Sequence, residues 1–284
     1  MARILITGGS SYLGRHLVPM ALQDHEICYT YFEHDPLDLA QGVWLDVRKE
    51  TAVSQLVTQF QPDAIIHIAG SNRGADMRAV IEAGTQHVTQ AASVVQARLI
   101  HLSTDSIFDG RTDSPSPPPY NESALPSPVN EYGRAKAAAE AIVRQYPNHV
   151  TIRTSLIYGL REMDHGTAWM AKALQDHQPI TLFTNQIRNP IWVQTLSNAC
   201  LELIDHPFTG ILNIAGEQIL SRAEFGLKML DYWNITQQDT ITIAPSQSDQ
   251  WPLDCRLTLQ LAHRVIQTPL LGVDAVLQNV KNAH

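Results

Sequence analysis

Along the first half of the chain, short runs of Ile, Val and Leu alternate with longer stretches whose apolar residues recur every three or four positions. The short runs predict strands at Arg3–Thr7, Glu26–Phe32, Gly42–Val47, Ala64–Ala69, Arg98–Ser103 and Val150–Thr154. The helical period is clearest over Tyr12–Gln23, Thr51–Phe60, Asp76–Gln96 and Glu131–Gln145. Strands that are apolar throughout belong to a sheet covered on both faces, and strand–helix alternation makes that sheet parallel. The expected class is α/β, with a doubly wound parallel sheet. Beyond Ser155 the alternation weakens, and Gly, Pro and polar residues break it. Residues 156–284 are therefore expected to form mostly a smaller, partly helical region, with a strand at Ile211–Ala215 rejoining the main sheet.

Two segments carry chemistry within this pattern. Directly after the first strand comes Thr7-Gly8-Gly9-Ser10-Ser11-Tyr12-Leu13-Gly14, and a helix follows. Gly8 allows a tight turn and Gly14 allows close helix–strand packing. The helix start offers unpaired N–H groups and a positive dipole end to a pyrophosphate. Residues 1–155 thus read as a dinucleotide-binding domain. Packing alone also produces such glycine turns. Ser11 occupies the place of the usual middle glycine, so the backbone there must tolerate a Cβ. Glu33 and Asp35 lie where an acid would hold the ribose of NAD, and no Lys or Arg occurs between Arg15 and Arg48. The balance favours NADH over NADPH, with Arg15 as the residue that would reach a 2′-phosphate. Asp46 suits the adenine amino group, or equally a helix N-cap.

The second segment is Tyr132-Gly-Arg-Ala-Lys136, opening an alanine-rich helix. The i, i+4 spacing sets phenol and ammonium on one helix face, where the cation is expected to draw the tyrosine pKa down. Ser103-Thr104-Asp105 at a strand end supplies a hydroxyl for the same substrate oxygen. Between the two lies Ser114–Pro128, which holds six of the sixteen prolines and reads as a stiff, extended surface loop, either a solvated linker or the rim of a site.

Composition narrows the field. The 284-residue chain is 44% hydrophobic and 17% charged, with a net charge of −8 and no Lys/Arg run, which excludes a typical nucleic-acid binder. No apolar stretch approaches the roughly 18 residues of a membrane helix, and the first strand begins without a signal-peptide layout. Three distant cysteines (Cys28, Cys200, Cys255) fit a reduced compartment, so a cytoplasmic protein is expected. The twelve histidines show no metal-ligand spacing, and no metal is expected.

The sequence resembles the extended short-chain dehydrogenase/reductases, and most the dTDP-4-dehydrorhamnose reductase branch. The resemblance runs through Arg3–Gly14, Pro62–Gly70, Leu102–Gly110 (LSTDSIFDG), Tyr120–Glu140, Ile152–Gly159 (IRTSLIYG), Pro190–Ala199, Gly210–Gly216 (GILNIAG) and Trp251–Leu257. It implies a Rossmann-type fold with a C-terminal substrate-binding region, and an NAD(P)-dependent reductase of a keto group on a nucleotide-linked sugar. Thr104, Tyr132 and Lys136 would be catalytic. Gly8, Ser10, Ser11, Tyr12, Leu13, Gly14, Glu33, Asp46, Val47, Ala69, Gly70, Ser103, Tyr132 and Lys136 would bind cofactor. Thr104, Asp105, Ser106 and Arg188 would meet substrate. Arg188 suits a diphosphate or is a solvated surface arginine. A homodimer is compatible with the resemblance.

Departures from the branch fall on the substrate side. Ser106 replaces the tyrosine usual after Ser-Thr-Asp, and Ser71–Ala83 is short and lacks the usual asparagine near Ile81. An epimerase of the same fold is an alternative. A dehydratase is disfavoured, since Ser106 follows Asp105 where dehydratases carry a second acid. A non-catalytic regulatory subunit, like the beta subunit of methionine adenosyltransferase, is the alternative of a different class.

Overall fold

A computed structural model of the protein describes residues 1–70, 74–114, 117–235 and 240–282. Residues 71–73, at the start of the short Ser71–Ala83 stretch, lie outside the described residues, as do 115 and 116 of the proline-rich segment.

Seven strands form one parallel sheet: β1 (Arg3–Thr7), β2 (Glu26–Tyr31), β3 (Gly42–Trp44), β4 (Ala64–His67), β5 (Arg98–Thr104), β6 (His149–Thr154) and, after β7 (Ile157–Tyr158), β8 (Ile180–Phe183), β9 (Ile187–Arg188) and β10 (Ile191–Trp192), β11 (Gly210–Asn213). Their order is β11-β6-β5-β4-β1-β2-β3. The order reverses between β1 and β4, and the crevice beyond the C-terminal strand ends at such a switch is where dinucleotides bind. Helices α1 (Tyr12–Ala21), α2 (Glu50–Phe60), α3 (Met77–Val95), α4 (Glu131–Val143), α5 (His165–Gln175) and α6 (Val193–Glu202) follow in chain order. Of these, α1 and α6 cover one face, and α2, α3 and α4 pack side by side on the other.

Strand side chains alternate between these layers. Ile4, Ile6, Ala64 and Ile66 enter the cluster of Leu17, Val18 and Leu196, whereas Leu5 and Ile65 meet Val53, Val57 and Val88. Each fully buried Leu, Ile or Val contributes about 1.5–3 kcal/mol, so continuous apolar strands serve both faces at once. Four expected strands stop early because the chain turns into loops: β2 at Tyr31 rather than Phe32, β3 at Trp44 rather than Val47, β4 at His67 rather than Ala69, and β11 at Asn213 rather than Ala215.

Beyond β6, the chain forms two-stranded ladders: β10 with β7, β9 with β12 (Leu220–Ser221), and β8 with β13 (Ile241–Ala244). Helices α7 (Arg222–Tyr232), α8 (Ala262–Val265) and α9 (Val273–Asn282) complete it. Among the described residues no helix is long and apolar enough to cross a membrane.

The described residues of the proline-rich segment form the expected surface loop, with one buried anchor that the sequence did not announce. Its Tyr120 is fully buried and stacks on Phe108 with ring centroids 3.8 Å apart. The Tyr120 N–H donates to Arg256 O at 2.7 Å, and Ser127 N donates to Ile107 O at 2.8 Å. A single aromatic anchor thus pins the segment while the neighbouring Pro117 and Pro119 stay exposed.

Beneath α3 and α4 the sheet face carries histidines. His67 bonds Thr7 Oγ1 at 2.6 Å and Thr85 Oγ1 at 3.1 Å, and its ring lies 5.4 Å from that of His101. Burial, then the nearby Lys136, pushes His67 down to about 3 and His101 well below the usual imidazole range. The unfolded chain binds these protons below about pH 6.5 while the folded protein excludes them. Their contribution is therefore complete above pH 6.5 and is lost as pH falls towards about 3. Urea titrations between pH 7 and 5 should show stability falling with acidification. His101→Gln should flatten that slope by up to about 1.4 kcal/mol per pH unit, and a variant with the wild-type slope would refute this account.

Candidate active site

The glycine loop is shaped by close approach. Gly8 has φ +78°, and a Cβ there would stand 2.8 Å from Ala69 Cα. A Cβ on Gly14 would run into the carbonyl oxygens of Gly8 and Gly9. Ser11 has extended backbone and caps α1, its Oγ accepting from Gly14 N at 3.1 Å. A serine is thus suited to the middle position, because it satisfies a first-turn donor that a glycine would leave open. The first-turn N–H groups of Tyr12 and Leu13 have no intrahelical acceptor and remain for an anion.

The Tyr12 side chain points outward instead. Its hydroxyl donates to Glu162 O at 2.8 Å, while Arg15 pairs with the Glu162 carboxylate at 2.5 Å. Arg15, the sequence candidate for a 2′-phosphate, is therefore committed to residues just before α5. Glu33 is exposed at the end of β2. Asp35 is occupied by the Tyr29 hydroxyl at 2.7 Å and Leu37 N at 3.1 Å. Asp46 is not the cap of α2, whose N-cap is Lys49. It is gripped through both oxygens by Arg48 at 2.8 and 3.0 Å, and this hydrogen-bonded guanidinium holds it below the usual carboxylate range. Arg48 also pairs with Asp76 and lies over the Phe32 ring at 5.3 Å. Val47 packs beneath this corner, its carbonyl accepting from His87.

The second half of the site gathers at the ends of β4 and β5. Ser103 and Thr104 end β5, and Thr104 Oγ1 caps the short turn Asp105–Ile107 by accepting from Ser106 N at 3.2 Å. Asn130 caps α4 by accepting from Gly133 N at 2.9 Å. A Cβ on Gly133 would collide with Ser106 O, so the glycine lets the helix start that carries Tyr132 close on the turn after Thr104. Lys136 is buried, donates to Leu102 O at 2.9 Å, and lies beside Gly70. Burial lowers its pKa to about 8 against the opposing effect of Glu140.

Tyr132 departs from the sequence expectation. Burial and then the charge of Asp105 push it up to about 12, with a Thr104 hydrogen bond as the opposing effect. Burial and Asp105 dominate its surroundings rather than Lys136, so the phenol keeps its proton at neutral pH.

Asp105 is buried; it accepts from Ser155 Oγ at 2.6 Å and faces Arg188 Nε at 3.4 Å. Arg188 is no surface arginine. It is 5% exposed and its guanidinium also donates to Pro252 O at 2.9 Å and Leu253 O at 2.5 Å. These contacts arise from a chain segment 64 and 65 residues away, which local sequence could not announce. Sequence reasoning also missed Glu140, Arg153 and Arg222. The last opens α7 after the Ser221-x-x-Glu224 capping box, a legible signal, and stands near Arg188 and Asp105.

A family model described as the RmlD substrate binding domain matches residues 2–268. The chain belongs to this family. A dTDP-4-dehydrorhamnose reductase of Mycobacterium tuberculosis is 30% identical over 229 residues, covering 78% of this chain and 72% of that protein. Methionine adenosyltransferase 2 subunit beta of Xenopus laevis is 27% identical over 251 residues, covering 82% and 72%. The dTDP-4-dehydrorhamnose reductase of Bacillus anthracis, solved with NADP, shares the fold with TM-score 0.81 at 22% identity, covering 100% of this chain and 98% of that one.

The cradle of Gly8, Ser11 and Gly14 fits a dinucleotide. Gly14→Val should abolish NADH binding, followed by cofactor fluorescence, in protein whose circular dichroism stays that of the wild type. Unchanged affinity in that folded variant would remove the loop from the site.

Proposed function

We propose that this protein is an NAD(P)H-dependent reductase of a keto group on a nucleotide-linked sugar, of the dTDP-4-dehydrorhamnose reductase kind. The observation that carries this reading is the convergence of Thr104, Tyr132 and Lys136 beside Gly70, at the strand ends next to the glycine loop. When bound, the reduced nicotinamide supplies a hydride to the carbonyl carbon. Tyr132 gives its phenolic proton to the carbonyl oxygen, and a raised pKa keeps that proton in place until negative charge develops there. Thr104 donates a hydrogen bond to the same oxygen. Lys136 holds the nicotinamide ribose and stays charged up to about pH 8. Ser103 supports the cofactor end of this cluster, and Ala69 and Gly70 give the dinucleotide a wall without side-chain bulk. Asp105 and Ser106 shape the sugar pocket, with Arg188 fixing Asp105 from behind.

The regulatory-subunit reading is favoured by the name of several relatives and by no feature of the site. Turnover of a 4-keto sugar nucleotide separates the two.

NADH is the preferred cofactor in this reading. The two arginines that bracket the acidic stretch after β2 are already paired, Arg15 with Glu162 and Arg48 with Asp46 and Asp76. Glu33 at the end of β2 adds like-charge repulsion. Dissociation constants should be lower for NADH than for NADPH; a tighter NADPH constant would reverse the assignment.

The catalytic roles predict distinct failures. Tyr132→Phe should lower turnover by about 10²–10⁴-fold with cofactor affinity nearly kept. Lys136→Met should lose turnover and weaken the cofactor as well, while Thr104→Val should lose turnover alone. Near-normal activity in all three folded variants would eliminate the catalytic assignment.

A further inference from the structure

Behind the catalytic face of α4 lies an ion pair that plays no part in the chemistry above. Glu140 and Arg153 have side chains only 1% exposed, with Arg153 Nη2 2.8 Å from Glu140 Oε2. Arg153 Nε donates to both carboxylate oxygens, and Ser103 Oγ donates to Oε1 at 2.5 Å. The remaining guanidinium nitrogen donates to Glu122 O and Ala124 O at 3.2 and 3.3 Å, and Phe108 covers its face. Apolar residues of similar volume often serve stability as well as a buried pair does. What the pair touches is therefore the more informative property.

Tyr132, Lys136 and Glu140 recur at intervals of four along one helix face. Ser103 directly precedes Thr104, and Arg153 is two residues before Ser155, which holds Asp105. Glu122 and Ala124 belong to the strap that joins the Thr104 and Tyr132 segments. One carboxylate thus joins the helix, two strands and the strap that together carry the reacting groups.

We propose that Glu140 is a positioning residue of the reductase site, its buried carboxylate, held by Ser103 and Arg153, anchoring α4 so that Lys136 stands over the cofactor crevice with a negative charge one helical turn away. This rests on the reading of Lys136 as the ribose-holding residue. The groups facing Lys136 are His67 on β4 and His101 on β5, both kept neutral by burial, with Tyr132 and Glu140 on its own helix and Arg153 on β6 behind Glu140. Glu140 is the group that favours the charged amine against desolvation.

The test is NADH affinity by cofactor fluorescence from pH 6.5 to 9.5, together with turnover where the protein reduces a keto-sugar nucleotide. Wild-type affinity should fall as Lys136 loses its proton near pH 8. Glu140→Gln should move that fall to lower pH by about one unit, the size expected when a close opposite charge is removed. Glu140→Asp, which keeps the charge, should bring it back towards the wild type. Arg153 is left unpaired in Glu140→Gln and can prevent folding. The double variant Glu140→Gln/Arg153→Met removes both charges, and its midpoint should still lie below that of the wild type. Midpoints that superimpose in folded variants overturn the proposal, as does a loss of affinity equal at every pH. A wild-type affinity that ignores pH would instead overturn the role of Lys136 itself.

Discussion

A charged carboxylate under a parallel sheet has to be answered locally, and the rest of this site is arranged around that requirement. Glu140 is answered by Arg153 from β6 and Ser103 from β5, and Arg153 is answered in turn by two carbonyls of the proline-rich strap. Removing one member of such a pair leaves an unpaired buried charge, at a cost of about 3–5 kcal/mol. The register of α4 against the sheet is thereby tightly specified. Lys136 and Tyr132, one and two turns earlier on the same face, inherit that register.

The same polar face sets the protonation states. His67 and His101 stay neutral because burial and the Lys136 charge both oppose their protonation. Tyr132 is kept protonated by burial and by Asp105, which Ser155 and Arg188 hold in place. At neutral pH the site therefore holds a protonated acid beside a charged amine, with no proton uptake needed before a carbonyl arrives. A second coupling runs through the glycine loop. Tyr12 and Arg15 both bind Glu162, so the helix that would hold a pyrophosphate is tied to the segment leading into α5.

Most of the sheet was legible because its strands are apolar on both faces and its helices keep a clear period. Strand ends were less so, since Leu45 and Val47 are as apolar as the strand they follow. The glycine loop, Thr104, Tyr132 and Lys136 were readable from spacing that backbone geometry imposes. Three features escaped for physical reasons. Tyr120 is an anchor whose partner Phe108 lies across a turn, so the prolines dominated its reading. The environment of Tyr132 depends on where the Lys136 ammonium points, which spacing does not define. Arg188 and Asp46 are satisfied by partners that only the folded chain brings together or orients.

These differences follow a structural division. The groups proposed to react stand at strand ends and on one helix, where sheet register and the four-residue period fix their separations. The groups proposed to meet the sugar nucleotide depend on the later part of the chain, built from two-stranded ladders and loops such as the one carrying Pro252 and Leu253. Loops tolerate substitution and insertion far better than a buried parallel sheet does. In the proposed reading, a protein organised in this way can alter the sugar it accepts through the loop residues that hold Arg188. The buried pair of Glu140 and Arg153, and with it the geometry of Tyr132 and Lys136, is left untouched by such changes.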